Sequence, residues 1–357
     1  MERDCRPDEG SLRLDRLSEA IENGPAARVD GNPAAGRSAK SPRRIVLLCL
    51  QVAVSVVLLA WLFSRGDFLA EMQSVVLATK PAWFFSGLLV AGIVQVLCLI
   101  RWRIFLRMAG MGLGWRESGG VFFAGLFGNL FLPGGAGGDL VKIGLLATRG
   151  RDPGRSALSV VMDRLSGSVS MIFVGTGLIL WRRDWLSQVP EVGAVMNGIL
   201  IYFVALAAVL GLSVALCARG VVSRLPSSWP GRSKVVELTE AYFQLAVQWP
   251  QTLMAVFVSC VMLGLYFLTF FFAAEACGVV LPVWDFLAIM PAVDVISGLP
   301  VSLGGFGVRE SVFVLILGRI AGVAAAVAVT ISLTGYMLSA VWALPGAFLW
   351  ISGGGRK

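Results

Sequence analysis

The chain has 357 residues, of which 57% are hydrophobic and only 15% charged, with a mean hydropathy of +0.79 and a formal net charge of +8. That balance lies outside ordinary soluble domains and marks a polytopic membrane protein. Histidine is absent, which excludes histidine metal sites, catalytic triads and imidazole pH sensors, and the six cysteines form no CxxC pair, so no disulfide framework, metal site or cofactor is expected.

Residues 1–42 are polar with alternating charge and read as a disordered cytoplasmic tail, with one short amphipathic stretch over residues 12–22. Residues 45–63 form an unbroken apolar run of bilayer-crossing length behind Arg37, Lys40, Arg43 and Arg44, which sets its start, and the N-terminus, in the cytoplasm. A second span over 82–100 returns to a basic loop with Arg101, Arg103, Arg107 and Arg116. Residues 121–132 are too short to cross comfortably and end in Pro133 and a glycine cluster. Lys142, Arg149, Arg151 and Arg155 follow, and a re-entrant hairpin dipping in from the cytoplasm keeps these four cations inside. Spans over 156–181, 192–218 and 253–274 come next, with an interfacial helix over 235–249. Residues 285–309 are broken by Pro291, Asp294, Pro300 and a second glycine cluster, and 310–317 and 324–351 supply the last apolar material before a short tail at 353–357. The expectation is an all-α polytopic membrane protein with about six to eight transmembrane helices in a domain over 43–352, plus two re-entrant, broken-helix segments.

The first broken segment, NLFLPGGAGGDLVK over 129–142, invites a phosphate-loop reading that its spacing refuses. A Walker loop needs its lysine directly after the last glycine, yet Asp139, Leu140 and Val141 separate Gly138 from Lys142. A dinucleotide fingerprint needs a third glycine at another offset, behind a soluble strand. What the segment does match is the chain's own second broken segment, over 296–309. The pattern L-P-x3-G-G-x3-basic places Pro133, Gly137, Gly138 and Lys142 in register with Pro300, Gly304, Gly305 and Arg309. Three spans separate the copies, so the second enters from the opposite face, as in inverted-topology repeats whose broken helices meet at the midplane around a substrate. Glycines allow turning and leave backbone N–H groups to face an anion, with Lys142 or Arg309 adding charge. Asp139 opposes this if it caps the next helix and takes those donors.

Intramembrane charges extend the candidate site. Asp163 and Arg164 lie about 10 Å into their span at 1.5 Å per residue, and read either as part of a substrate path or as a structural ion pair. Asp294 has the same two readings, with its place beside the motif favouring function. Arg101-Trp102-Arg103 reads as interfacial anchoring, with headgroup binding as the sharper alternative.

GNLFLPGGAGGDLVK, VVMDRLSG and LPVSLGGFGVRE together resemble the lysylphosphatidylglycerol synthetase transmembrane-region family of flippase-like integral membrane proteins, over about residues 45–351. The resemblance implies a bacterial or archaeal cytoplasmic-membrane protein and carries Asn129 and Glu310 into the candidate substrate site with the residues above. The best-known members move aminoacylated phospholipid between leaflets and carry a further soluble synthetase domain. The present sequence ends at Lys357 without one, so enzyme activity is not expected. The leading expectation is a translocase of phospholipid or a lipid-linked anionic substrate. A membrane-embedded enzyme or enzyme partner acting on phospholipid or polyprenyl headgroups, and a non-transporting scaffold, are the alternatives. Expected partners are membrane lipids, separately encoded lipid-modifying enzymes and further copies of the chain, but not nucleic acid.

Overall fold

The computed structural model describes residues 50–58, 60, 68–131, 137–219 and 232–347. The expected tails at 1–42 and 353–357, and Pro133, lie outside them. Among the described residues all regular structure is helical, as an all-α polytopic membrane protein requires.

Among the described residues four helices are long and apolar enough to cross a membrane. In chain order the elements are α1 (Phe68–Leu77), α2 (Pro81–Met108), α3 (Trp115–Phe131), α4 (Gly137–Thr148), α5 (Pro153–Trp181), the single turn α6 (Arg183–Leu186), α7 (Pro190–Ala218), α8 (Arg232–Val247), α9 (Trp249–Ala276), α10 (Val283–Gly298), α11 (Val308–Ala321) and α12 (Ala325–Val341), with a 3-10 turn at Leu303–Gly305 before α11. The long helices α2, α5, α7 and α9 each carry proline in the first turn. There its missing N–H costs nothing and its fixed φ favours helix entry. Asp152 adds an N-cap to α5, accepting from the Gly154 amide at 2.8 Å. At 28 or 29 residues these helices reach about 42 Å, more than the roughly 30 Å hydrocarbon core.

The remaining helices around the two motifs are shorter. With 17 and 12 residues, α3 and α4 reach only about 26 and 18 Å, and they pack as a hairpin. With 16 and 14 residues, α10 and α11 reach about 24 and 21 Å and form a second hairpin.

Contacts at the helix ends sort the two hairpins onto opposite ends of the bundle. At one end, Gln248 before α9 donates to the Met108 carbonyl at the end of α2 (3.1 Å), Arg151 before α5 pairs with Glu117 on α3, and Arg155 stands beside Gly110. The first hairpin opens there. At the other end the Lys80 amide donates to the Ala276 carbonyl, Arg182 pairs with the buried Asp285 at the start of α10, and Arg319 near the end of α11 faces Glu191 on α7. The second hairpin opens there.

The core is aromatic and aliphatic. Phe267, Phe270, Phe286 and Phe313 cluster where α9, α10 and α11 meet, with the rings of Phe270 and Phe313 stacked at 5.9 Å. Trp102, Phe105, Phe122 and Met162 form a second cluster beneath the first hairpin. Ile201, Val204, Val209 and Leu212 on α7 are exposed, a lipid-facing surface once the bundle is embedded.

Candidate functional site

The first hairpin closes on glycine. A Cβ at Gly138 would come within 2.3 Å of the Gly125 carbonyl oxygen and 2.6 Å of the Asn129 side chain, and one at Gly128 within 2.8 Å of Val141. These are small residues admitting backbones to close approach. Gly137 and Gly138 begin α4 without a positive φ, and the Gly138 amide is taken by Asn129 Oδ1 at 2.6 Å. At Gly138 the expected anion donor is therefore spent on helix packing. In the second motif Gly304, Gly305 and Gly307 do adopt positive φ, of 60°, 81° and 83°. The spacing repeats but the backbone use does not.

Beside this hairpin lies a cavity of about 470 Å³ whose walls include Asn129, Asp139, Lys142, Asp163, Arg164 and Asp294. Arg101 reaches into it from α2 and binds Asp163 in a two-point pair, with Nε to Oδ1 at 2.8 Å and Nη2 to Oδ2 at 3.1 Å. Its remaining nitrogen, Nη1, donates to Ser259 Oγ at 3.1 Å. Asp139 accepts from Arg164 Nε at 2.9 Å and from Lys142 Nζ at 3.4 Å, so it braces charges across the cavity wall. Lys142 Nζ also stands 5.2 Å from the ring centroids of Trp102 and Phe122, within cation–π range. The lining carries three basic side chains, Arg101, Lys142 and Arg164, and three carboxylates, Asp139, Asp163 and Asp294.

A second cavity, of about 270 Å³, sits against the second motif. Pro300, Gly304, Gly305 and Arg309 line it, with Gln51, Tyr266, Asp294 and Ser302. The helical stretch 50–58, within the first span expected from sequence, holds this loop in place: Gln51 Nε2 donates to the Pro300 carbonyl (3.0 Å), and Ser55 Oγ accepts from the Leu303 amide (2.9 Å). Arg309 Nη2 donates to the Gly304 carbonyl at 2.9 Å, and the guanidinium lies 4.8 Å from the Tyr336 ring centroid. Asp294, Gly298 and Leu299 line both cavities, so the two adjoin.

Two sequence expectations are corrected. Arg101-Trp102-Arg103 does not face outward as an anchor would: Trp102 is 1% exposed, Arg101 faces the first cavity, and the buried Arg103 bonds Ser118 and lies 3.9 Å over Trp115. Glu310 is 0% exposed and lines neither cavity. Its Oε2 accepts from the Gly307 amide at 2.6 Å and its Oε1 from Ser332 Oγ at 2.7 Å, which makes it the N-terminal clamp of α11. Sequence reasoning missed Gln51, Gln95, Tyr266, Ser259 and Ser302 as wall or support residues. Gln51 and Gln95 were the readable signals, as amides inside apolar runs.

A helical bundle with four membrane-length helices, two shorter hairpins opening at opposite ends and a charged interior defines an integral membrane protein. The family described as the lysylphosphatidylglycerol synthase TM region matches residues 48–346, and the chain belongs to it. It is also similar to a UPF0104 membrane protein of Methanothermobacter thermautotrophicus, 30% identical over 104 residues, a stretch that covers 29% of this chain and 28% of that protein.

Proposed function

We propose that the protein is a translocase that carries the headgroup of a phospholipid or other lipid-linked anion between membrane leaflets. One observation carries this reading: two hairpins too short to cross, opening at opposite ends of the bundle, each line a polar cavity, and the cavities share a wall at Asp294. Irregular backbone and charge at membrane depth are tolerated where they line a path for a polar group. Three membrane-length helices lie between the hairpins, an odd number, which gives them opposite entry faces if each helix crosses once. The basic loops favour a cytoplasmic membrane with the N-terminus inside. On this reading the protein acts on lipids without chemistry of its own, alongside separately encoded lipid-modifying enzymes, alone or as a homo-oligomer.

Purified protein in liposomes with fluorescent phospholipid and polyprenyl-phosphate panels tests this through dithionite-accessible signal. The parent should raise leaflet exchange of at least one anionic lipid above protein-free liposomes, and Asp294→Asn should reduce it. Exchange at the protein-free rate for every lipid would overturn the proposal.

A further inference from the structure

The two cavities are chemically unlike. In the first, both oxygens of Asp163 and of Asp139 are engaged by basic partners. The second contains two buried groups with no hydrogen-bond partner among the described residues: Arg309 Nη1 and Ser302 Oγ. Arg309 is 8% exposed and Ser302 6%, and both line the 270 Å³ cavity. An unpaired buried donor is costly, and a buried guanidinium nitrogen more so, which makes two on one small cavity a sign of an acceptor that completes them.

We propose that the second cavity is an oxyanion site that takes the phosphodiester of a lipid headgroup between Arg309 Nη1 and Ser302 Oγ. Phosphate oxygens match a guanidinium and a hydroxyl that donate together. Geometry selects the diester: it has two non-bridging oxygens, one for each unpartnered donor, whereas a monoester brings a third terminal oxygen that neither donor meets. Gly305 keeps the pocket open to the arginine, since a Cβ there would lie 3.2 Å from Arg309 Nη2 and 3.0 Å from the Ser297 carbonyl oxygen at a φ of 81°. This site deepens the translocase reading, and rests on it for the step from bound anion to lipid.

The test is equilibrium binding to the full chain in detergent, by calorimetry and native mass spectrometry. The probes are short-chain phosphatidylglycerol, short-chain phosphatidic acid at pH 8, inorganic phosphate and short-chain diacylglycerol. Phosphatidylglycerol should bind, phosphatidic acid more weakly and diacylglycerol not at all, with inorganic phosphate competing only at far higher concentration. Arg309→Gln should weaken phosphatidylglycerol binding about tenfold or more. Ser302→Ala should weaken it by a few fold while holding or raising the melting temperature of the lipid-free protein, because it deletes an unpartnered buried hydroxyl. The exposed Arg319→Gln serves as the charge control and should bind like the parent. Unchanged phosphatidylglycerol affinity in Ser302→Ala and in folded Arg309→Gln overturns the site. Binding of diacylglycerol, or of inorganic phosphate in preference to the lipid, overturns the headgroup assignment. Arg309-dependent lipid binding without leaflet exchange would sink the translocase reading and leave the site standing.

Discussion

Arg101 and Arg164 each hold one carboxylate of the first cavity, yet their surroundings assign them different weights. The Arg101 side chain is 10% exposed and its partner Asp163 16%, so Arg101→Gln leaves a carboxylate stranded in a poorly solvated wall. Breaking a buried pair from one side costs about 3–5 kcal/mol. Arg164 is 58% exposed against 13% for Asp139, and Asp139 keeps Lys142, so the loss falls toward the roughly 0–1 kcal/mol of a solvated pair. The expected outcome is a large drop in melting temperature and monodisperse yield for Arg101→Gln and a smaller one for Arg164→Gln, read by size exclusion and thermal unfolding in detergent. Equal losses would mean that exposure does not set the strength of these pairs. Asp163 and Arg164 were visible in the sequence as intramembrane charges. Their partners were not, because neighbours in the chain point in different directions around a helix: Asp163 turns to α2 and Arg164 to α4.

At the scale of the element, the two motif copies show what a repeated spacing encodes and what it leaves open. Proline, paired glycines and a basic residue at fixed offsets announced two interruptions; α3 ends at Phe131, just before the first motif's proline, and α10 ends at Gly298, just before the second's. The role of each glycine was hidden, because glycine serves close packing and positive φ equally well. Only the neighbours decide: Gly125 and Asn129 crowd Gly138, whereas the Gly304–Gly305 turn bends backward toward Arg309. The opposed openings of the hairpins predict a labelling pattern. In a chain whose native cysteines are replaced, Thr148→Cys at the exposed end of α4 and Val280→Cys, at an exposed position before α10, should react with membrane-impermeant thiol reagents from opposite faces. Reaction of both from one face would exclude the opposed arrangement. α3 extends six residues upstream of the apolar run at 121–132, and α2 runs eight residues past its predicted end. Charged and polar residues at helix ends such as Arg107 and Glu117 diluted the hydropathy signal there without stopping the helix.

For the whole molecule, alternation of apolar runs and basic loops was enough to order the long helices, because burial in lipid demands continuous hydrophobicity and internally bonded backbone. The joining of two cavities at Asp294 was not readable, since it depends on how α10 leans against α5, α7 and α9. That shared wall has an electrical consequence. Arg101, Lys142 and Arg164 in the first cavity are held in ion pairs with Asp163 and Asp139 on packed helices, so these side chains offer little gating charge of their own. The charge that travels is the cargo's. One elementary charge moved through 100 mV is worth about 2.3 kcal/mol, or roughly a 50-fold bias in equilibrium. In liposomes clamped by a potassium gradient with valinomycin, the steady distribution of a monoanionic lipid should follow the imposed potential, while a zwitterionic lipid carried by the same protein should ignore it. The polarity of the membrane would then act as a sorting force, pulling like-charged lipids toward one leaflet without any fuel bound to the protein.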